Sequence, residues 1–268
     1  MTCEKSPPRD FGAEVLENRR LDGATFLMTL RCPEIAGAAE PGQFVLIRPG
    51  TGHDPFLGRP LAVAGAAGDG FKVIVRIAGR GTALLASRRE GDLLVVRGPS
   101  GKGFWSSRGG APLPEKIILA GGSVGAAPLV FAAARLAPSR VERMVFGFAG
   151  RGWEGLARLL EETLPDARLY SDDGTLGNKG TVLSGLPLDI PGGAEIWACG
   201  PGGMLKALAA KYPGRGGEIR VSLEARMACG MGGCLGCTVP TVTGSARVCA
   251  EGPVFTAGEV KWDELPCL

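Results

Sequence analysis

Four cysteines near the C-terminus constrain this chain more than any other feature. Cys229-Gly-Met-Gly-Gly-Cys234-Leu-Gly-Cys237 is followed by Cys249, a C-x4-C-x2-C-x11-C spacing. Three thiols within nine residues can converge only if the backbone wraps around a common centre. Gly230, Gly232, Gly233 and Gly236 supply the positive φ angles such a wrap demands. This is the plant-type spacing for a [2Fe–2S] cluster, in which four thiolates hold two irons. Structural zinc usually takes two short Cys pairs separated by a longer loop. A redox Cys234-Leu-Gly-Cys237 pair would leave Cys229 and Cys249 without a task. An iron–sulfur centre with Cys229, Cys234, Cys237 and Cys249 as metal ligands is therefore expected, with zinc and unligated thiols as the alternatives.

The rest of the chain changes rhythm once. From Ala13 to about Phe104, short apolar runs at residues 25–30, 43–47, 71–77 and 92–96 recur between Gly and Pro. Such runs predict strands of a barrel or sandwich, with one helix over 82–89. Residues 105–114 (WSSRGGAPLP) read as a linker. Beyond it, strands at 116–120, 144–148, 167–170 and 195–199 alternate with helices at 128–136, 153–163 and 203–211. That alternation predicts a parallel, doubly wound sheet. The fold class is β + α/β: a β-barrel domain over 1–108, an α/β nucleotide-binding domain over 109–215, and a cluster-binding lobe over 216–268.

Composition bounds the function. Hydrophobic residues make up 45% of the 268, enough for real cores, and 44 glycines with 20 prolines fit a chain rich in turns. A net charge of +3 with 21% charged residues gives neither a nucleic acid nor a membrane surface a footing. The apolar run at 126–134 is too short to span a bilayer. The opening MTCEKSPPRD lacks the apolar stretch of a secretory signal. The eight cysteines are accordingly expected in a reducing cytoplasm, as ligands or free thiols.

Three glycine-rich turns could meet phosphates. The first combines Gly58-Arg59-Pro60-Leu61-Ala62 with Arg76-Ile-Ala-Gly79-Arg80-Gly81-Thr82. Arginine beside such a turn can hold a pyrophosphate, and Thr82 can cap the helix that follows. The second, Ile117-Ile-Leu-Ala-Gly121-Gly122-Ser-Val-Gly125-Ala-Ala-Pro128, is a strand, a turn and a helix, as nucleotide sites are built, without the full G-x-G-x-x-G pattern. The third is Ala198-Cys199-Gly200-Pro201-Gly202-Gly203-Met204, again at the carboxyl end of a strand. Singly, each is as readily structural as functional.

Taken in order, and with Gly98-Pro-Ser-Gly101-Lys-Gly-Phe104, these motifs resemble the ferredoxin–NADP reductase superfamily, which pairs an FAD-binding β-barrel with a nicotinamide-binding α/β domain. The cluster block, preceded by Ser222-Leu-Glu-Ala-Arg226-Met-Ala-Cys229 and followed by Gly252-Pro-Val-Phe255, resembles the electron-transfer subunits of class B dihydroorotate dehydrogenases. The resemblance covers nearly the whole chain. It implies that Arg59, Pro60, Leu61 and Ala62 lie along FAD, that Ile74, Val75 and Arg76 flank the flavin nucleotide, and that Gly81 and Thr82 meet its pyrophosphate. Gly121, Gly122, Gly125, Cys199, Gly200 and Pro201 fall at the NAD site. Three positions depart from the family: Ala62 where Ser is common, Ser123 at the third Gly of the nucleotide turn, and Gly202 where an acidic or polar residue is frequent.

The resemblance further implies an electron-transfer flavoprotein with FAD, one [2Fe–2S] cluster and NAD as acceptor, acting in pyrimidine biosynthesis. The cofactors carry the chemistry, so no side chain is assigned as catalytic. No second flavin site and no general base for oxidising dihydroorotate is recognisable. An FMN-containing dihydroorotate dehydrogenase catalytic subunit is the expected partner, with two copies of each subunit and electrons running from FMN to cluster to FAD to NAD+. Met227, Met231 and Leu235 are candidates to seal that joint, or to pack against this chain's own FAD domain. Arg151 can meet a 2′-phosphate or be a surface arginine, and NAD follows from the family. The alternatives are a reductase subunit of a hydrogenase or bifurcating transhydrogenase and, in another class, a zinc-stabilised non-catalytic nucleotide-binding module. His53, the only histidine, reads as a loop residue. Asp172-Asp173-Gly174 lacks the further carboxylates of a calcium loop, and Cys3, Cys32 and Cys267 read as incidental.

Overall fold

The computed structural model describes residues 8–50, 52 and 54–265, so His53, Cys3 and Cys267 lie outside the described residues. The chain begins with β1 (Arg9–Arg20), β2 (Thr25–Arg31), the short helix α1 (Pro33–Ala38), β3 (Phe44–Ile47), β4 (Arg59–Ala67), β5 (Gly70–Arg76), α2 (Arg80–Ala86) and β6 (Leu93–Ser100). The six strands close an antiparallel barrel in the order β1-β2-β5-β4-β3-β6. Alternation fills it: Phe26, Met28 and Leu30 from β2 and Phe71, Val73 and Val75 from β5 point into one barrel core. Their neighbours Leu27 and Ile74 are buried on the opposite face, in a core shared with the second layer. α1 had no sequence counterpart, because six residues carry too little periodicity to register.

The second half comprises β7 (Lys116–Gly122), α3 (Ala126–Arg135), β8 (Val141–Phe148), α4 (Glu154–Thr163), β9 (Arg168–Ser171), β10 (Asn178–Lys179), β11 (Ala194–Cys199), α5 (Gly202–Lys211), β12 (Ile219–Ser222), β13 (Thr238–Thr241), β14 (Gly244–Arg247) and β15 (Val254–Thr256). A seven-stranded sheet runs β10-β9-β8-β7-β11-β12-β15. All neighbours are parallel except β12 and β15. The chain steps outward from β7 to β10, then crosses back to place β11 on the other side of β7. That reversal opens a crevice at the carboxyl ends of β7 and β11.

β12 and β15 extend the α/β sheet, although the sequence reading placed both stretches in the C-terminal lobe. Strands of four and three residues show no period. Their place is set by pairing, Ser222 opposite Val254. What stands outside the sheet is the cysteine loop and the β13–β14 hairpin.

The stretch read as a linker is anchored rather than loose. Trp105 meets Trp197 of β11 edge-on with ring centroids 5.3 Å apart, beside the preceding Phe104, which stacks on the same ring at 4.8 Å. Arg108 meets both carboxylate oxygens of Glu195 at 2.6 Å, while Arg220 and the Trp197 indole reach the same carboxylate at 3.1 and 3.0 Å. The Arg108, Glu195 and Arg220 side chains are 8–13% exposed. Burial pulls the Glu195 carboxyl upward, but its hydrogen bonds to Arg108 and Trp197 and the Arg220 charge outweigh it and hold it below the usual range. A depressed carboxyl stabilises the fold above its unfolded pKa and loses that contribution as pH falls through the folded one. Glu195→Gln leaves two buried guanidinium groups without a counter-charge. We expect it to cost about 3–5 kcal/mol in urea denaturation at neutral pH, with the gap to wild type closing as pH drops below the carboxylate range.

Candidate functional site

The cysteine loop is held in shape by its glycines and by the barrel. Gly230 and Gly232 take φ of +65° and +85°, and Leu235 takes +60°. A Cβ at Gly230 would stand 2.4 Å from the Leu46 side chain of β3, so glycine lets the loop lie on the barrel wall. Loop amides turn inward to sulfur: Met231 and Cys234 donate to Cys229 Sγ at 3.5 and 3.4 Å, Gly232 to Cys249 Sγ at 3.1 Å, and Cys249 to Cys237 Sγ at 3.4 Å.

The sulfurs stand as two pairs. Cys237 and Cys249 are 3.2 Å apart and buried, and Cys229 is paired with the exposed Cys234. Among the described residues, no group of three or more His, Cys, Asp or Glu side chains gathers around a single ion. Two pairs are the donor set that two irons require, each iron taking two thiolates. Burial would raise the Cys229 thiol, but the amides of Met231, Cys234 and Gly233 outweigh it and bring it to about 6. Burial and the neighbouring Cys237 sulfur push Cys249 up to about 12. Cys229 thus ionises readily at neutral pH, while Cys249 needs a bound cation to do so.

A cavity of about 440 Å³ lies where the barrel, the sheet ends and the start of the cysteine segment meet. Pro60, Leu61, Ala62, Ile74, Val75 and Arg76 line it from β4 and β5, and Gly125 and Cys199 line it from the α/β side. Eight of the expected cofactor residues are therefore brought together on one cavity. Its size and largely apolar walls fit an aromatic ring system. Burial pushes the Cys199 thiol up, reinforced by Glu224, against the Ser222 hydroxyl and Gly200 amide. Glu224 opens onto the cavity, and desolvation raises its carboxyl too.

The remaining phosphate candidates sit apart from that cavity. The Arg59 guanidinium rests on Gly81, where a Cβ would meet its Nε at 2.2 Å. Thr82 Oγ1 accepts from the Ala78 and Gly79 amides at 2.9 and 3.2 Å; α2 begins earlier than the sequence reading had it, so Gly79 is the N-cap and Thr82 braces the first turn as its third residue. Arg76 also reaches across the domains: it donates to Thr25 Oγ1 at 3.1 Å and the Gly152 carbonyl at 2.9 Å, and lies 3.7 Å over the Trp153 ring.

Gly121 and Gly122 end β7 beside Cys199, Gly200 and Pro201 at the end of β11. A Cβ on Gly125 would meet the Cys199 carbonyl at 2.4 Å, and one on Gly122 would meet Met204 and Pro201 below 3 Å. Ser123 takes φ +53°, the left-handed region that favours glycine. Asp173 accepts from the Thr175 amide and hydroxyl, closing a loop after β9.

Sequence reasoning missed the wall formed by Phe44, Ser222, Leu223 and Pro253. The available signal was the run Phe44–Ile47, four apolar residues with no polar alternation and all buried, which marks a strand covered on both faces. Met227, weighed as a partner contact or as packing against this chain's own FAD domain, lines the cavity and is half-buried. Met231 and Leu235 are 43% and 62% exposed. Among the described residues, no helix is long and apolar enough to cross a membrane.

Comparison with known proteins agrees with this geometry. Residues 224–261 match the iron-sulfur cluster binding domain of dihydroorotate dehydrogenase B. The chain is 35% identical to the dihydroorotate dehydrogenase B (NAD(+)) electron transfer subunit of Desulforamulus reducens, over 94% of this chain and 98% of that protein. It is 37% identical to the subunit of Geobacillus thermodenitrificans, over 92% and 96%. Among solved structures, it is similar to one described as the NADH-dependent reduced ferredoxin-NADP oxidoreductase of flavin-based electron bifurcation. The TM-score is 0.77 and the identity 29%, over 94% of this chain and 91% of that one. A ferredoxin NADP+ reductase from Neisseria gonorrhoeae shares the fold, with a TM-score of 0.60 and 16% identity over 75% and 89%.

The contact between the two glycine turns can be tested without any ligand. Gly125→Ala drives a methyl into the Cys199 carbonyl and should lower stability by about 1–3 kcal/mol. Gly202→Ala, with nothing within 4 Å of its Cβ, should be neutral or slightly stabilising. Thermal unfolding that ranks the two alike would contradict the packing described.

Proposed function

The chain belongs to the family of dihydroorotate dehydrogenase B electron transfer subunits, and we propose that it passes electrons from a dihydroorotate-oxidising catalytic subunit, by way of a [2Fe–2S] cluster and FAD, to NAD+. When bound, these groups supply single-electron carriage and hydride exchange; the chain supplies spacing, orientation and electrostatics. Cys229, Cys234, Cys237 and Cys249 hold the cluster. Pro60, Leu61, Ala62, Ile74, Val75 and Arg76 enclose the flavin nucleotide, and Arg59 with Gly81 and Thr82 takes its pyrophosphate. Gly121, Gly122, Gly125, Cys199, Gly200 and Pro201 form the NAD crevice, whose close-packed glycines let a dinucleotide approach the backbone.

The observation that carries this reading is the continuity between cavity and cysteine loop. Met227 lines the cavity two residues before Cys229, and on β3 Phe44 faces the cavity while Leu46 supports the loop. Two electron carriers seated against the same strand need no moving part between them. The catalytic subunit, in this reading, delivers electrons from FMN and assembles with two copies of each chain. It docks where Cys234, Met231 and Leu235 reach the surface. A cytoplasmic location belongs to the same proposal, since ligand thiols need a reducing compartment.

The 29% identity to the bifurcating oxidoreductase structure over nearly both whole chains favours a second reading, a reductase subunit of such a complex. Co-purification separates them. A dihydroorotate-oxidising flavoprotein partner, with NAD+ reduction dependent on dihydroorotate, supports the first reading, and bifurcating-complex components support the second. A colourless protein holding zinc would sink both. Cys234→Ser should abolish the cluster's absorption and cut dihydroorotate-linked NAD+ reduction about 100-fold or more. NADH-to-dye activity, which bypasses the cluster, should persist. Equal loss of both activities would mean that the loop is structural for the FAD domain.

A further inference from the structure

Two arginines grip the cysteine loop, one from the barrel and one from the β13–β14 hairpin. Arg97, on β6 of the barrel, donates to the Cys229 carbonyl at 3.0 Å, and Asp10 holds its other edge at 2.6 and 2.8 Å. Arg247, at the end of β14, donates to the Gly232 carbonyl at 2.8 Å and is paired with Glu251. In a trans peptide the carbonyl and the following amide point opposite ways. Drawing the Gly232 carbonyl outward therefore turns the Gly233 amide inward, where it helps hold the Cys229 thiol down beside the Met231 and Cys234 amides that donate to Cys229 Sγ. Gly232 takes φ +85°, and a Cβ there would crowd Arg247 Nη1 at 3.1 Å and the Ala250 Cβ at 3.2 Å.

Guanidinium groups suit this task for two reasons. They present a rigid planar fork, so one edge can fix a carboxylate while another fixes a carbonyl, and they never lose their charge. The reduction potential of an iron–sulfur cluster responds to hydrogen bonds on its sulfurs and to nearby charge. Both levers run through the same two side chains here.

We propose that Arg97 and Arg247 are positioning residues for the cluster, orienting the loop peptides so that amides meet the sulfurs and holding the cluster's potential above the value the thiolates alone would set. Arg97 also ties the first ligand to the barrel, and so fixes the cluster relative to the cavity. This inference rests on the reading of the four cysteines as cluster ligands. Its distinctive content is a sign: removing the cation lowers the potential, and removing its carboxylate partner raises it.

The test is an anaerobic redox titration of the full-length protein carrying flavin and cluster, with each centre followed by its own absorption and the cluster also by electron paramagnetic resonance. Arg247→Gln should lower the cluster's potential and speed iron loss to a chelator about 10- to 100-fold. Arg247→Lys, which keeps the charge and loses the fork, should fall between it and wild type. Glu251→Gln should raise the potential, and the flavin's potential should stay put in every variant. If Arg247→Gln does not fold, Glu251→Gln decides the sign by itself. Potentials that stay unmoved, or that move the same way in both variants, overturn the proposal while leaving the ligand reading intact. A wild-type protein that takes up no iron overturns both.

Discussion

A strand with no solvent face holds this structure together. In β3, Val45 and Ile47 point into the barrel, while Phe44 and Leu46 point out into a core shared with the sheet and the cysteine lobe. Each such side chain contributes roughly 1.5–3 kcal/mol through removal from water, but the geometric consequence is larger. One wall serves two sites. Phe44 borders the cavity proposed for the flavin, and Leu46 carries Gly230 of the cysteine loop. Period two puts Phe44 and Leu46 on the same face, so one face of the strand serves both sites while Val45 and Ile47 anchor the other in the barrel.

Close approach of backbones sets the second site. The turns after β7 and β11 meet with glycine against glycine, and Gly125 sits where any Cβ would collide with Cys199 and Gly200. The crevice at this reversal of strand order thus has a floor of backbone rather than side chains. It opens beside a cavity whose far wall belongs to the barrel. Arg76, stacked on Trp153 and bonded to the Gly152 carbonyl, ties barrel to sheet on that side. The Glu195 network ties the connecting segment to β11 and β12. The two layers are fixed by polar contacts at their margins and by apolar packing between them.

Much of this was legible in the residues. The thiol spacing located the loop, the Gly-rich turns located both crevice edges, and eight of the expected cofactor residues share one cavity. Local signals carried that far because each motif has its own chemistry. What stayed hidden is non-local. β12 and β15 are strands because they pair with distant partners, and no periodicity survives in so few residues. Arg76 looked like a phosphate ligand by its place at a strand end. Its bond to Gly152, 76 positions away in the chain, follows from tertiary packing that no window of sequence contains. The linker reading failed to anticipate Arg108 for the same reason, since its carboxylate partner is 87 positions distant.

The pairing of β12 with β15 explains more than the sheet's edge. The chain leaves the sheet after Ser222, builds the cysteine loop and the β13–β14 hairpin, and returns opposite the same residue at Val254. The cluster lobe is therefore an excursion between two adjacent strands, with both ends pinned a strand spacing apart. A lobe joined at one end would wander on its tether. One joined at both ends of a ladder can move only if the ladder opens. The position of the cysteines relative to the cavity follows from the register of that ladder and from the seat of Gly230 on Leu46. For a device that moves electrons between fixed carriers, a rigid spacing is the main thing a protein has to provide, and here two hydrogen-bonded strands and one glycine provide it.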